Sequence, residues 1–293
     1  MNIIKKIFLQ NKIKDSKIID TIWASELDLF NVLKEFITGQ RLKVEEKISY
    51  EIDFYSRCVT LHNKVFPKFK NFYNNRDVVI IAGGPTVNDY VPIEGAINIA
   101  VNRSFLYNKV SFDYLFIQDY QAILAFPNEL KEFAANNKTT NIFYGYFTPE
   151  EDSYLIPESI AIRDNAYRYY ARSRWLEREE VFPFKNDFSY DLSAQPLQCY
   201  GSIAFPAAQF ALWTNPKRIY LVGCDCTTNG HFVKSNLKPK DELGVPFVIQ
   251  GWKKFKNFAN RYYPDTEIIC VNPVGLKGVF KDLYQNSNIE KEK

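Results

Sequence analysis

Several segments of the chain end runs of apolar, β-forming residues in groups able to hold a ligand. Val78–Ile81 leads through Ala82 into Gly83-Gly84-Pro85-Thr86; glycines let a backbone approach a ligand closely, and the amides and Thr hydroxyl that follow can hold phosphate oxygens. The run Ala96–Val101 ends in Asn102, whose carboxamide bonds a base or a sugar hydroxyl as donor and acceptor. Phe112–Gln118 ends in Asp119, and Arg218–Val222 leads through Gly223 to Asp225. Gly201-Ser202 opens the apolar stretch SIAFPAAQFALW, a helix whose amino end would offer free N–H groups as a second phosphate seat. His231 is the one conventional near-neutral general base in these loops. Each feature has a plainer reading too: a tight turn, a cap, a surface imidazole. The glycine segment is neither a dinucleotide fingerprint, since Pro85 and Asn88 stand where GxGxxG needs glycines, nor a P-loop, since no GK[ST] follows.

What must position these groups is a set of buried strands. DVVIIA, AINIAVN, FDYLFIQD, KTTNIFYGYF, RIYLVGCD and TEIICVNP are short, continuously apolar runs, as expected of parallel strands covered on both faces. Between several of them lie helical stretches, notably AILAFPNELKEFAANN, SIAFPAAQFALWTN and WKKFKNFANRYY. The alternation predicts a Rossmann-like, doubly wound, mainly parallel α/β sheet, with ligands at the carboxyl ends of the strands near the switch point. This body is expected over 76–293. Residues 1–75, poor in glycine and proline, predict an N-terminal helical extension, read as a cap or oligomerisation element with substrate contact as the alternative. A segment of about 148–198 is too long for a simple connection and predicts a helical lid insertion. Its basic-aromatic part, with Arg168, Tyr169, Arg172, Arg174 and Trp175, reads either as a clamp for an anionic or sugar ligand or as a solvated helix face.

Composition narrows the classes. The 293 residues are 46% hydrophobic, 24% charged and 16% aromatic, values of a globular chain. A net charge of +3 gives no field that would favour nucleic acid. Five cysteines without a CxxC pair argue against a zinc knuckle or disulfide framework and fit a reducing cytoplasm, while two histidines exclude a histidine-rich metal site. No apolar run reaches the roughly 20 residues that span a bilayer. The opening MNIIKKIFLQNKIKDSK reads as a packed terminal helix or as one lying on an anionic membrane surface, which would place the protein at the inner face of the cytoplasmic membrane.

The order IIAGGPT, AVNRSF, YGSIAFPAAQFAL and KRIYLVGCDCTTNG resembles the bacterial lipooligosaccharide sialyltransferases of glycosyltransferase family 42, and the related motility-accessory and hydroxymethylpterin-pyrophosphokinase-like proteins. The resemblance covers roughly Val78 to Asn272. It implies a transferase that uses a CMP-linked acidic sugar and a glycan acceptor, in lipooligosaccharide or capsule synthesis, by direct displacement with inversion and without a metal. By the same resemblance Gly83, Gly84, Pro85 and Thr86 approach the nucleotide phosphate and sugar, and Asn102 contacts the cytidine monophosphate part. Gly201 and Ser202 lie near its phosphate, and Gly223 and Asp225 hold the ribose or base. The chain departs from the family pattern in three places. Gly84 stands where the family has Asn, Thr227 where a site Tyr is expected, and Gln250, Gly251 and Trp252 where a His is expected. The base role then falls to His231 or Asp119. The alternatives are a pyrophosphokinase-like phosphotransferase, with ATP and with Mg²⁺ held by Asp119 and Asp225, and a non-catalytic assembly partner of the same fold.

Overall fold

The computed structural model describes residues 41–118, 125–146, 158–173, 188–234 and 244–284. Asp119, Arg174, Trp175 and the first seventeen residues lie outside them, as do 148–157 and 174–187 of the segment expected to form a lid.

Among the described residues nine parallel strands make one sheet. β1 (Asp77–Ile81), β2 (Ile97–Val101), β3 (Tyr114–Ile117), β4 (Asn141–Tyr146), β5 (Ala166–Ser173) and β6 (Leu197–Cys199) step outward in one direction. The chain then returns to lay β7 (Arg218–Val222) on the free side of β1, followed by β8 (Glu267–Val271) and β9 (Lys281–Asp282). The order 6-5-4-3-2-1-7-8-9 puts the topological switch point between β1 and β7. In register, Ile80 sits between Ile99 and Leu221. The six strands expected from apolar runs are all present, and they are mainly apolar because both faces are covered.

One face carries Val78, Ile80, Ile99, Tyr114, Phe116 and Phe143, packed under α4 (Ala204–Trp213) and α5 (Gly244–Tyr262). Every residue of α4 is buried, which fits a helix apolar on all sides. Phe210 of α4 sits 5.0–5.3 Å from the rings of Tyr114, Phe116 and Phe143, and Phe116 stacks flat on Phe143 at 4.7 Å. The other face carries Val79, Ile81, Leu115, Ile117, Tyr144 and Val222 against α1 (Arg41–Val65) and α2 (Pro127–Asn136). A short helix, α3 (Glu158–Ala161), precedes β5.

Two elements differ from expectation in a way that matters for the site. The basic-aromatic stretch contains β5 rather than a helix face, and its alternate residues Arg168 and Arg172 lay their guanidinium groups on rings: Arg168 at 3.9 Å from Tyr146, Arg172 at 4.6 Å from Phe54. These two arginines thus serve the packing of β5 against β4 and α1. Helix α1, from the N-terminal extension, is woven into the core through Phe54, Tyr55, Cys58, Val59 and His62. Pro67, two residues beyond its last turn, cannot continue it.

Candidate functional site

The carboxyl ends of β1, β2, β3 and β7 are tied together by side chains of the loops that follow them. Ser104 accepts from Val101 N–H at 2.7 Å and donates to Ile81 O at 2.5 Å, which binds the β2 loop to the end of β1. Asn102, at φ 47°, accepts at Oδ1 from Gln118 N–H at 3.1 Å and so joins the ends of β2 and β3. Asn tolerates this left-handed conformation better than other side chains because its short amide bonds locally.

Across the switch point the ties are tighter. Ala82 N–H donates to Val222 O and Gly84 N–H to Gly223 O, both at 2.8 Å, extending the β1–β7 ladder past the strands. Thr86, in the 3₁₀ turn Pro85–Asp89, donates its N–H to Asp225 Oδ2 at 3.1 Å and its hydroxyl to Asp225 Oδ1. Asp225 is buried, and its own carbonyl accepts from Gly275 N–H at 2.8 Å. Gly84 permits this approach: a Cβ there would lie 2.5 Å from Asp225 Cγ and 2.5 Å from Gly223 O. Gly223 has φ +64°, and a Cβ on it would meet Ala82 O at 2.7 Å, so both glycines are sterically required.

The loop after Asp225 folds back over the glycine segment. Phe232 N–H donates to Gly83 O at 2.9 Å, and the exposed His231 brings Nδ1 to 2.9 Å from where a Cβ on Gly83 would stand. Thr227 lies on the same loop, its hydroxyl accepting from Asn229 N–H at 3.3 Å. Gly201, at φ +69°, and Ser202 precede α4; Ser202 Oγ accepts from Ala204 N–H at 3.3 Å, a local cap. Because α4 connects two parallel strands, its amino end opens on the carboxyl edge of the sheet, the edge that carries the glycine segment. Gly83, Gly84, Pro85, Thr86, Gly223, Asp225 and His231 are therefore one cluster, Asn102 adjoins it, and Gly201 and Ser202 share its edge.

Two residues on this edge are not among those read from the sequence. Arg103 is buried, with its Cγ 3.7 Å from the Cβ position of Gly83, and brings a permanently charged side chain to the glycine segment. Gln118 is 5% exposed, yet among the described residues neither its side-chain nitrogen nor its oxygen has a hydrogen-bond partner. The contrast with Gln209 is direct. That buried amide donates to Gln198 O at 2.8 Å and Phe205 O at 3.0 Å, and accepts from Ser189 N–H at 3.0 Å and Gln198 N–H at 3.1 Å. A buried amide left unbonded costs about 1–3 kcal/mol, a cost that a water, an ion or a ligand bonded at this edge would offset. The signal in the sequence was a polar residue closing a buried strand one position before Asp119.

The other imidazole has a different task. His62 is fully buried; its Nδ1–H points to Leu192 O and Gln195 O, each at 3.0 Å, and its Nε2 accepts from Tyr170 N–H at 2.8 Å. Burial pushes its pKa down to about 3, so it stays neutral and structural. Burial likewise pushes the Cys224 thiol, next to Asp225, well above its ordinary value, which keeps it protonated. Among the described residues no group of three or more His, Cys, Asp and Glu is placed to hold a metal ion, and no helix is long and apolar enough to cross a membrane. A cleft of about 480 Å³ lies at the opposite, amino edge of the sheet between Tyr73, Asn98, Ser111, Asp113 and Asn141, away from every loop described above.

Sheet order, covered faces and linked loops define a doubly wound parallel α/β protein with a ligand-type edge at its switch point. In comparison with solved structures, the chain is similar to the sialyltransferase CST-II in complex with a trisaccharide acceptor and CMP, at 14% identity and a TM-score of 0.39. It is similar also to CstII from Campylobacter jejuni in complex with a substrate analogue, cytidine-5'-monophosphate (13%, 0.39), and to monomeric CstII (14%, 0.35). Each likeness covers 67% of this chain and 80% of the other. No protein-family model matches the chain, and no curated protein does.

Proposed function

We propose that the protein is a glycosyltransferase that draws on a nucleotide-activated sugar, a CMP-linked acidic sugar, to extend a bacterial surface glycan. The observation that carries this reading is the unbonded, buried carboxamide of Gln118 beside Asn102, at the edge where the glycine segment ends β1. An amide with donor and acceptor both free suits a nucleobase edge or a pair of sugar hydroxyls. The order of motifs around it, AGGPT, VNRS, YGS and VGCDC, supports the nucleotide class.

In this reading the acceptor hydroxyl attacks the anomeric carbon of the donor. A carbon–oxygen bond forms there as the bond to the phosphate oxygen breaks, the electron pair leaving with the nucleotide. His231, at the rim of the glycine segment, takes the hydroxyl proton. Arg103, buried beside Gly83, stabilises the negative charge that develops on the departing phosphate.

The test is thermal unfolding and hydrolysis with a panel of CMP-, UDP- and GDP-linked sugars, each with and without EDTA. CMP-linked acidic sugars are expected to raise the unfolding midpoint and to be slowly hydrolysed, unchanged by EDTA; a ligand at 100 times its Kd adds about 2.7 kcal/mol. Silence across the whole panel overturns the proposal. Binding that vanishes with EDTA, or that needs ATP, points to the Mg²⁺-dependent phosphotransferase.

A further inference from the structure

The resemblance gives Asp225 to the ribose or base of the nucleotide, but in the structure both oxygens of its carboxylate are turned to the β1 loop. Both oxygens are engaged by one residue, Thr86, through its N–H and its hydroxyl. The side chain is buried, and the space between it and the β1 loop is full: a single methyl group on Gly84 would stand 2.5 Å from Asp225 Cγ. In an open α/β sheet the crevice at the switch point is where a ligand normally enters. Here the crevice between β1 and β7 is closed by the hydrogen bonds Gly84 N–H to Gly223 O and Thr86 to Asp225. On the other side of β1, just past the end of β3, the side chain of Gln118 has neither polar atom bonded among the described residues.

We infer that Asp225 is a positioning residue, a clasp that holds the loop Gly83–Thr86 in its ligand-binding shape, and that the nucleotide lies on the β2–β3 side of that loop rather than in the β1–β7 crevice. The inference deepens the nucleotide-sugar reading and rests on it for the identity of the ligand. The clasp itself is a property of the free protein. It sets the direction of the amides beyond Gly83 before any ligand arrives, so less ordering is left to be done on binding.

The experiment joins a ligand series to a measurement without ligand. Affinities for CMP, for 2',3'-dideoxy-CMP and for UMP are compared in wild type, Asp225→Ala and Thr86→Val. Hydrogen exchange over residues 82–87 is followed in the same proteins with no ligand present. A clasp predicts that each substitution weakens all three ligands by the same factor, about tenfold, and speeds exchange at Gly84 and Thr86. Asp225→Asn, whose amide can still accept from the Thr86 N–H and donate to its hydroxyl, is expected to recover most of both losses. A direct contact predicts instead that the loss on Asp225→Ala shrinks for the ligand lacking the contacted group, the ribose hydroxyls or the cytosine amine; that result overturns the inference. So does unchanged exchange in both Asp225→Ala and Thr86→Val. If wild type binds none of the three ligands, the nucleotide reading fails while the exchange data still decide the clasp.

Discussion

Gln118 is where folding and binding pull in opposite directions. Its side chain is about the size of leucine, sits among buried residues at the end of β3, and among the described residues has no partner for either polar atom. Replacing an unsatisfied buried polar group with an apolar one of similar shape removes a desolvation penalty. Gln118→Leu is therefore expected to stabilise the free protein by about 1 kcal/mol while weakening the nucleotide about tenfold, since one bond to a ligand is worth of that order. Urea unfolding and calorimetric titration on the same preparation check the pair. A variant that is less stable than wild type would show that the amide has a structural partner after all. Individual residues were only partly legible in the sequence. Gly83, Gly84 and Thr86 stand out because glycine and proline interrupt an apolar run. Asp225 could be picked out as a polar strand ending, yet whether it faces a ligand or Thr86 depends on a contact 139 residues away along the chain.

At the scale of elements, the strands with both faces buried could be read directly, and the ones missed have clear reasons. β5 reads AYRYYARS, and its arginines look like solvent or ligand contacts until Tyr146 and Phe54 are known to lie beneath them. β6 has three residues, too few for any periodicity to register. The junction between α1, β5 and the Leu192–Gln195 turn depends on one neutral imidazole, His62. Its pKa is depressed from 6.5 to about 3 on folding. Above pH 6.5 neither folded nor unfolded chain protonates it, so its contribution is level there. Below that, the unfolded chain takes up a proton that the folded chain refuses, and stability falls as pH drops toward 3, by about 1.4 kcal/mol per unit once the unfolded group is charged. Denaturation at intervals between pH 7 and 5 should show this decline in wild type and a flatter profile in His62→Gln, which has no proton to gain; identical slopes would remove His62 from the account.

For the whole molecule, the division of the chain at about residue 75 invites the expectation that 76–293 folds alone. The packing predicts otherwise. Phe54, Tyr55, Cys58, Val59, His62 and Phe66 are buried and belong to the cores on both faces of the sheet. A chain lacking residues 1–66 is expected to lose its fixed aromatic environment, visible as loss of the near-ultraviolet dichroism and as rapid proteolysis within the sheet; a truncated protein that unfolds cooperatively would restore the two-part view. The interlock at the switch point also restricts position 84, which can gain a side chain only if the loop after β7 swings away and the residue at 225 is reduced or redirected, because Asp225 and the Gly223 carbonyl both occupy that volume. A chain that carries a side chain at 84 together with Asp at 225 must therefore turn that carboxylate away from the loop, and Gly84→Ala is expected to free Thr86 from it, visible as faster hydrogen exchange at the Thr86 amide.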